Sequence, residues 1–131
     1  IKNLSFSYNG NKIPAINNIN LKINSGEKIG LVGSTGSGKT TLVDLIIGLL
    51  EYNYGKILID KKPLVENNKR LWQNSIGYVS QSIFLSDKTI AENIAFGIPK
   101  DKIDFQKVIE VSKVAHIHDF IINQIKDFVL Y

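Results

Sequence analysis

From Leu4 through Phe6 to Tyr8, and again from Ile19 through Leu21 to Ile23, apolar residues alternate with polar ones, the period of strands with one buried face. Both segments are predicted as antiparallel strands. Residues 9–14, "NGNKIP", form a turn cluster, and Ser25-Gly26 makes a tight connection into residues 28–32. That next run is mostly apolar, as expected of a strand buried on both faces of a parallel sheet. From residue 39 to 50 the period becomes helical, with Leu42, Leu45, Ile46 and Leu49 on one side, and the helix is expected to end before Asn53 and Gly55. Further strands are predicted at residues 56–59 and 76–79. Thr89 followed three residues later by Glu92 is a capping box, which opens a helix running toward Phe96. A second, amphipathic helix is predicted over residues 104–115, with Phe105, Val108, Ile109 and Val111 inward.

Composition narrows the class. At 131 residues and 44% hydrophobic content the chain fills one ordinary core, so one domain or a large piece of one is expected. There is no methionine, the first residue already lies in a strand-like pattern, and the closing "IKDFVLY" carries no cap or stop signal. These features read as an internal piece of a longer chain. The absence of cysteine excludes a disulfide framework and a thiolate metal site. The longest apolar stretch, residues 42–50, is interrupted by Asp44 and falls far short of the roughly 20 residues that cross a bilayer. The formal charge of +4 comes from scattered lysines; only Lys61-Lys62 and Lys69-Arg70 are adjacent, without interleaved aromatics, so no nucleic-acid surface is expected.

The chemistry concentrates in "GSTGSGKT". Gly33, Ser34, Thr35, Gly36, Ser37, Gly38, Lys39 and Thr40 satisfy the pattern of glycine, any four residues, Gly-Lys, then Ser or Thr, placed after a predicted strand and before a predicted helix. The glycines permit backbone conformations that let successive N–H groups face phosphate oxygens. The start of the following helix adds unpaired donors and the positive end of its dipole. In this pattern Lys39 reaches the β- and γ-phosphates, the Thr40 hydroxyl ligates Mg²⁺, and Thr41 touches the α-phosphate. A dinucleotide fold is disfavoured because no Gly-x-Gly-x-x-Gly is present.

Around this loop, "FSYNGNKIPAINNINLKINSGEKIGLVGSTGSGKTTL", "GKILID", "IGYVSQSIFLSDKTIAENIAFG" and "AHIHDFI" resemble the nucleotide-binding domain of ABC transporters, over nearly the whole chain. "TIAENIAFG" is similar to the exporter-type members. The resemblance implies that Tyr8 stacks on adenine through its π face, with Ile16 beside the same ring. It also implies that Gln81 is the glutamine whose amide reaches Mg²⁺ and the attacking water, making it, with Lys39, a catalytic candidate. The apolar run Ile83, Phe84 and Leu85 would then be covered by a transmembrane domain contacted through residues 81–94.

Two segments imitate functional motifs. Residues 57–60, "ILID", look like an apolar run ending in a magnesium-shell aspartate, but Lys61-Lys62 follow where a glutamate is needed, so Asp60 is read as a turn residue. His116 and His118, two apart, point away from each other on a helix and are read as helix-end side chains. The family's signature, its second nucleotide-binding motif and its switch histidine have no counterpart in residues 1–131. The expected fold class is therefore α/β: a P-loop NTPase core with an antiparallel β subdomain, truncated within the helical subdomain, its unpaired core strands leaving an open apolar edge.

By the same resemblance the parent protein is an ATP- and Mg²⁺-dependent exporter subunit on the cytoplasmic face of a membrane, paired with a second nucleotide-binding domain. Residues 1–131 alone are expected to be inactive, lacking a general base. A soluble ABC-type ATPase switch and a non-hydrolysing regulatory module are the alternatives.

Overall fold

The structure is a computed structural model that describes residues 1–125, divided between one unit, Ile1–Tyr78, and a second from Val79 onward. In the first unit, strand β1 (Lys2–Phe6) turns Leu4 and Phe6 inward, as its alternation requires. It is the central strand of three. β2 (Ile16–Ile19) and β3 (Tyr54–Lys56) flank it, both antiparallel, with Leu4 opposite Ile19, Phe6 opposite Ile16 and Lys2 opposite Lys56. Gly55 permits the β3 contact. A Cβ there would stand 2.4 Å from the carbonyl oxygen of Asn3, and its φ of 90° lies in the left-handed region.

Helix α1 (Lys39–Ile46) lays Leu42 and Leu45 against this sheet. They join Leu4, Phe6, Ile16, Ile57 and Leu64 in one buried cluster. Beyond Ile57, β4 (Leu58–Ile59) and β5 (Lys62–Pro63) make a hairpin whose two turn residues, Asp60 and Lys61, have φ of 48° and 69°. Two left-handed residues in a two-residue loop make the turn that matches strand twist. Asp60 is therefore the turn residue its sequence context indicated.

Helix α2 (Glu66–Gln73) crosses the far end of α1. There the Trp72 indole N–H donates to the Ile46 carbonyl at 2.8 Å and the Gln73 amide donates to the Gly48 carbonyl at 3.1 Å. Side chains of one helix thus satisfy carbonyls that the end of another leaves open.

The second unit carries α3 (Ile90–Ile94), a short 3₁₀ turn (Lys100–Lys102), α4 (Phe105–Val114) and α5 (His118–Ile125), with α3 against α4 and α4 against α5. The capping box at α3 forms as expected: the Thr89 hydroxyl accepts from the Glu92 N–H at 3.2 Å, and the Glu92 carboxylate accepts from the Thr89 N–H at 3.1 Å. Asp104 caps α4 by accepting from the Lys107 N–H. The inward face of α4 differs from the expected one. Phe105, Ile109 and Val111 remain exposed, while Ser112 is buried, its hydroxyl bonded to the Ile109 carbonyl and 3.1 Å from His118 Nδ1. His116 occupies the turn before α5 at a φ of 57°.

The largest departure concerns the two expected core strands. Residues 28–32 and 76–79 form no strand, and Val32 and Val79 are 98% and 88% exposed. A central parallel strand takes its hydrogen bonds and its apolar cover from neighbours on both sides. Among the described residues no strand pairs with either run, so the backbone there stays irregular. Sheet propensity alone does not substitute for a partner.

Candidate functional site

Gly33 to Thr40 form a loop that enters the first turn of α1. Gly38 is the N-cap of that helix, at a φ of 87°, and a Cβ on it would stand 2.6 Å from the Ala15 carbonyl oxygen and 3.1 Å from Ile16 Cδ1. Glycine is thus required twice over, by conformation and by the close approach of the segment leading into β2. Gly36 is also left-handed, at 81°. Within the loop the Ser37 N–H donates to the Ser34 carbonyl at 3.2 Å, which closes a tight turn over Thr35 and Gly36.

The start of α1 differs from the other two capped helices. Thr89 and Asp104 each place a side-chain oxygen on the N-terminal donors of their helices, whereas Gly38 has none to offer, and no acidic residue stands in the first turn of α1. The N-terminal donors and the positive dipole end of α1 therefore face the loop without an anionic side chain to answer them. Lys39 lies across the same loop. Its ammonium donates to the carbonyls of Gly33 and Ser34, both at 2.8 Å, and to the Ser37 hydroxyl at 3.3 Å. The Thr40 side chain is exposed, while Thr41 is buried.

Tyr8 follows β1 and belongs to the same neighbourhood. Its ring meets Phe6 edge-on, centroids 4.8 Å apart at 81°, and it is 43% exposed. Its hydroxyl lies 3.1 Å from the Thr41 hydroxyl. Ile16 is 5% exposed, within the core cluster and opposite Phe6. Tyr8, Ile16 and the loop are therefore gathered by one sheet and one helix of the first unit. Gln81 belongs to the second unit, exposed in a bend where the Ser80 hydroxyl donates to the Ser82 carbonyl. After it, Ile83, Phe84 and Leu85 are 79%, 76% and 72% exposed. Asn93 pins the following segment: its side-chain oxygen accepts from the Ser86 N–H at 2.8 Å, and its amide donates to the carbonyls of Ser86, Lys88 and Thr89 at 3.1 Å.

Three participants escape sequence reasoning. The Tyr8 hydroxyl contact is one, since stacking by the π face gave the hydroxyl no task, and 33 residues separate it from Thr41. The Ala15 carbonyl under Gly38 is a second, and backbone atoms carry no sequence signal. Asn93 is the third. Its place within "TIAENIAFG" marked it as part of a motif without indicating which groups it ties.

Among the described residues no group of three or more His, Cys, Asp or Glu gathers to hold a metal ion, and no helix is long and apolar enough to cross a membrane. The Thr40 hydroxyl and the Gln81 amide are hard oxygen donors of the kind Mg²⁺ accepts while keeping water and phosphate oxygens in its shell.

Comparison with known proteins supplies the context. The sequence model of the ABC transporter family matches residues 16–128. A Bacillus subtilis (strain 168) protein named as a multidrug export ATP-binding/permease protein is 38% identical over 122 residues, covering 93% of this chain. A Staphylococcus aureus protein (strain bovine RF122 / ET3-1) of the same description is 40% identical over 123 residues, covering 94%. The chain spans 21% of the length of each of these relatives. Among solved structures, that of a bacterial Atm1-family ABC exporter with ATP bound superposes with a TM-score of 0.80 at 28% identity, over 92% of this chain and 20% of that one.

Proposed function

The chain belongs to the ABC transporter family, and from that premise we propose that residues 1–131 are part of the ATP-binding domain of an ABC exporter, whose hydrolysis of ATP drives transport in the full-length protein. The observation that carries this reading is the uncapped start of α1 behind a glycine loop, with the Lys39 ammonium laid across it. Such a site is short of negative charge and rich in donors, which suits a polyphosphate.

On this reading the residues divide the ligand between them. The backbone donors of Gly33, Ser34, Thr35, Gly36, Ser37 and Gly38 cradle the β-phosphate, and Lys39 exchanges its loop carbonyls for β- and γ-phosphate oxygens. Thr41 serves the α-phosphate. Tyr8 offers adenine its exposed ring; Ile16, expected beside that same ring, is 5% exposed in the core cluster and would support the site from beneath, against Gly38. Thr40, at the start of α1, would hold Mg²⁺, which when bound supplies charge neutralisation at the phosphates, and Gln81, in the second unit, is the amide that resemblance to the family assigns to the same ion. Gln81 further orients the attacking water.

The partners follow from the same reading: a second nucleotide-binding domain, and a transmembrane domain that covers Ile83, Phe84 and Leu85 through the segment 81–94. Three adjacent large apolar side chains more than 70% exposed support a covered face. The relatives' description as export ATP-binding/permease proteins supports a membrane exporter over a soluble switch, with this chain on the cytoplasmic face.

Calorimetric titration of the full-length protein with ATP tests the proposal. Lys39→Ala removes the cation that faces the phosphates and is expected to weaken binding by roughly 2–5 kcal/mol, the cost of leaving a buried charge unpaired. Equal ATP affinity in parent and variant would reject the phosphate site.

A further inference from the structure

We infer that the Tyr8 hydroxyl is a positioning group for the phosphate end of the site, acting through Thr41, in addition to whatever the Tyr8 ring does for the base. The inference rests on the nucleotide-binding reading above.

Tyr8 is held from two sides. Phe6 meets its ring edge-on at 4.8 Å, and the Thr41 hydroxyl stands 3.1 Å from its own. Thr41 is 8% exposed, in the first turn of α1 and two residues past Lys39. A threonine hydroxyl has one hydrogen and two acceptor positions, so it can accept one hydrogen bond while donating another. Either hydroxyl could be the donor across this contact; with the phenol, the more acidic of the two, as donor, Thr41 Oγ1 is the acceptor. An accepting oxygen keeps its own hydrogen free. The Thr41 O–H can then be directed at an anion in the loop, and its donor strength rises because the bond it accepts polarises it. The Tyr8 hydroxyl thus donates to the Thr41 hydroxyl, which donates in turn to a phosphate oxygen, the acceptor that ends the chain.

The same contact ties together two parts of the site that sequence places 33 residues apart. Tyr8 follows the central strand β1, Thr41 belongs to the helix behind the loop, and Gly38 packs on Ala15 and Ile16 at the start of β2. A nucleotide spanning ring and loop would therefore meet both ends in a fixed spacing. This is preorganisation, which lowers the cost of ordering the site on binding.

Tyr8→Phe isolates the hydroxyl, because the ring and its edge contact with Phe6 are kept. Thr41→Val removes the acceptor at nearly equal volume. ATP, ADP and adenosine affinities are measured for the full-length parent, each single variant and the double variant. Tyr8→Phe is expected to weaken ATP and ADP about five- to tenfold, the loss of a hydrogen bond that serves a charged group, while adenosine is unchanged. The double variant is expected to bind ATP no more weakly than Thr41→Val alone, since the two residues act in series.

Several results would overturn the inference while leaving the nucleotide site standing: unchanged or tighter ATP binding in Tyr8→Phe, an equal loss for ATP and adenosine, or additive losses in the double variant. Tighter binding would mean that the contact competes with the nucleotide. Failure of the parent itself to bind ATP would instead remove the nucleotide reading, and this inference with it.

Discussion

Gly38 shows how closely single residues are constrained at the site. Its φ of 87° is one that side chains rarely adopt, and a Cβ would enter the Ala15 carbonyl at 2.6 Å, where the obstacle is backbone and does not rotate away. Gly38→Ala is therefore expected to cost about 1–3 kcal/mol of stability in denaturant titrations. It should also lose ATP affinity, because the shift needed to relieve the clash displaces the start of α1. Gly36, equally left-handed but with open space around the added Cβ, is the control. Gly36→Ala carries the conformational strain without the collision, so the smaller loss belongs there. Lys39 presents the opposite case. Its contacts are with the loop's own oxygens, so Lys39→Ala acts mainly on ligand affinity.

At the scale of elements, short helices in this chain depend on their ends. α3 has five residues, too few to stand on backbone propensity, and the Thr89–Glu92 capping box supplies what the missing turns do not. Thr89→Ala is expected to cost about 1 kcal/mol and to speed amide exchange at Glu92 and Asn93, with Thr89→Ser retaining protection. The Thr89 hydroxyl and N–H hold the Glu92 carboxyl below its ordinary range. A depressed folded-state value means that this contribution is present above the unfolded pKa and is lost as pH falls through the folded one. α3 should therefore fray on acidification, not on moderate alkalinisation, and exchange profiles at descending pH check the sign. Asn93 extends the same device forward, tying residues 86–89 to the helix while Ile83, Phe84 and Leu85 remain exposed.

At the scale of the whole molecule, binding and turnover should separate. The loop, Lys39, Thr40 and Tyr8 lie within residues 1–131, whereas the segments that resemblance assigns to signature, base and switch do not. The relatives are several times longer than this chain, which spans 21% of them. Residues 1–131, prepared in soluble form, are expected to bind Mg-ATP weakly and to release no phosphate above background. Removing groups that act only in the transition state lowers rate far more than ground-state affinity. Calorimetry paired with a phosphate-release assay measures both, and release that disappears in Lys39→Ala would reveal a base within these residues. The exposed Val32 and Val79 runs predict aggregation of such a preparation.

Features that depend on local period or local chemistry could be read from the chain alone. Leu4 and Phe6 alternate, Leu42 and Leu45 share a helix face, Asp60 sits in a tight turn, Thr89 precedes Glu92, and a spaced set of glycines leads to Lys39. Each of these is set within a few residues, so the chain needs no distant partner to express it. Other features depend on residues distant in the chain. Residues 28–32 and 76–79 have the composition of core strands but no neighbours among the described residues, and a strand is completed only by hydrogen bonds it cannot make with itself. The inward face of α4 turned on what packed against it, burying Ser112 instead of Phe105. The Tyr8–Thr41 contact and the Ala15 carbonyl beneath Gly38 arise from the approach of β1 and β2 to α1, a geometry that only long-range packing creates.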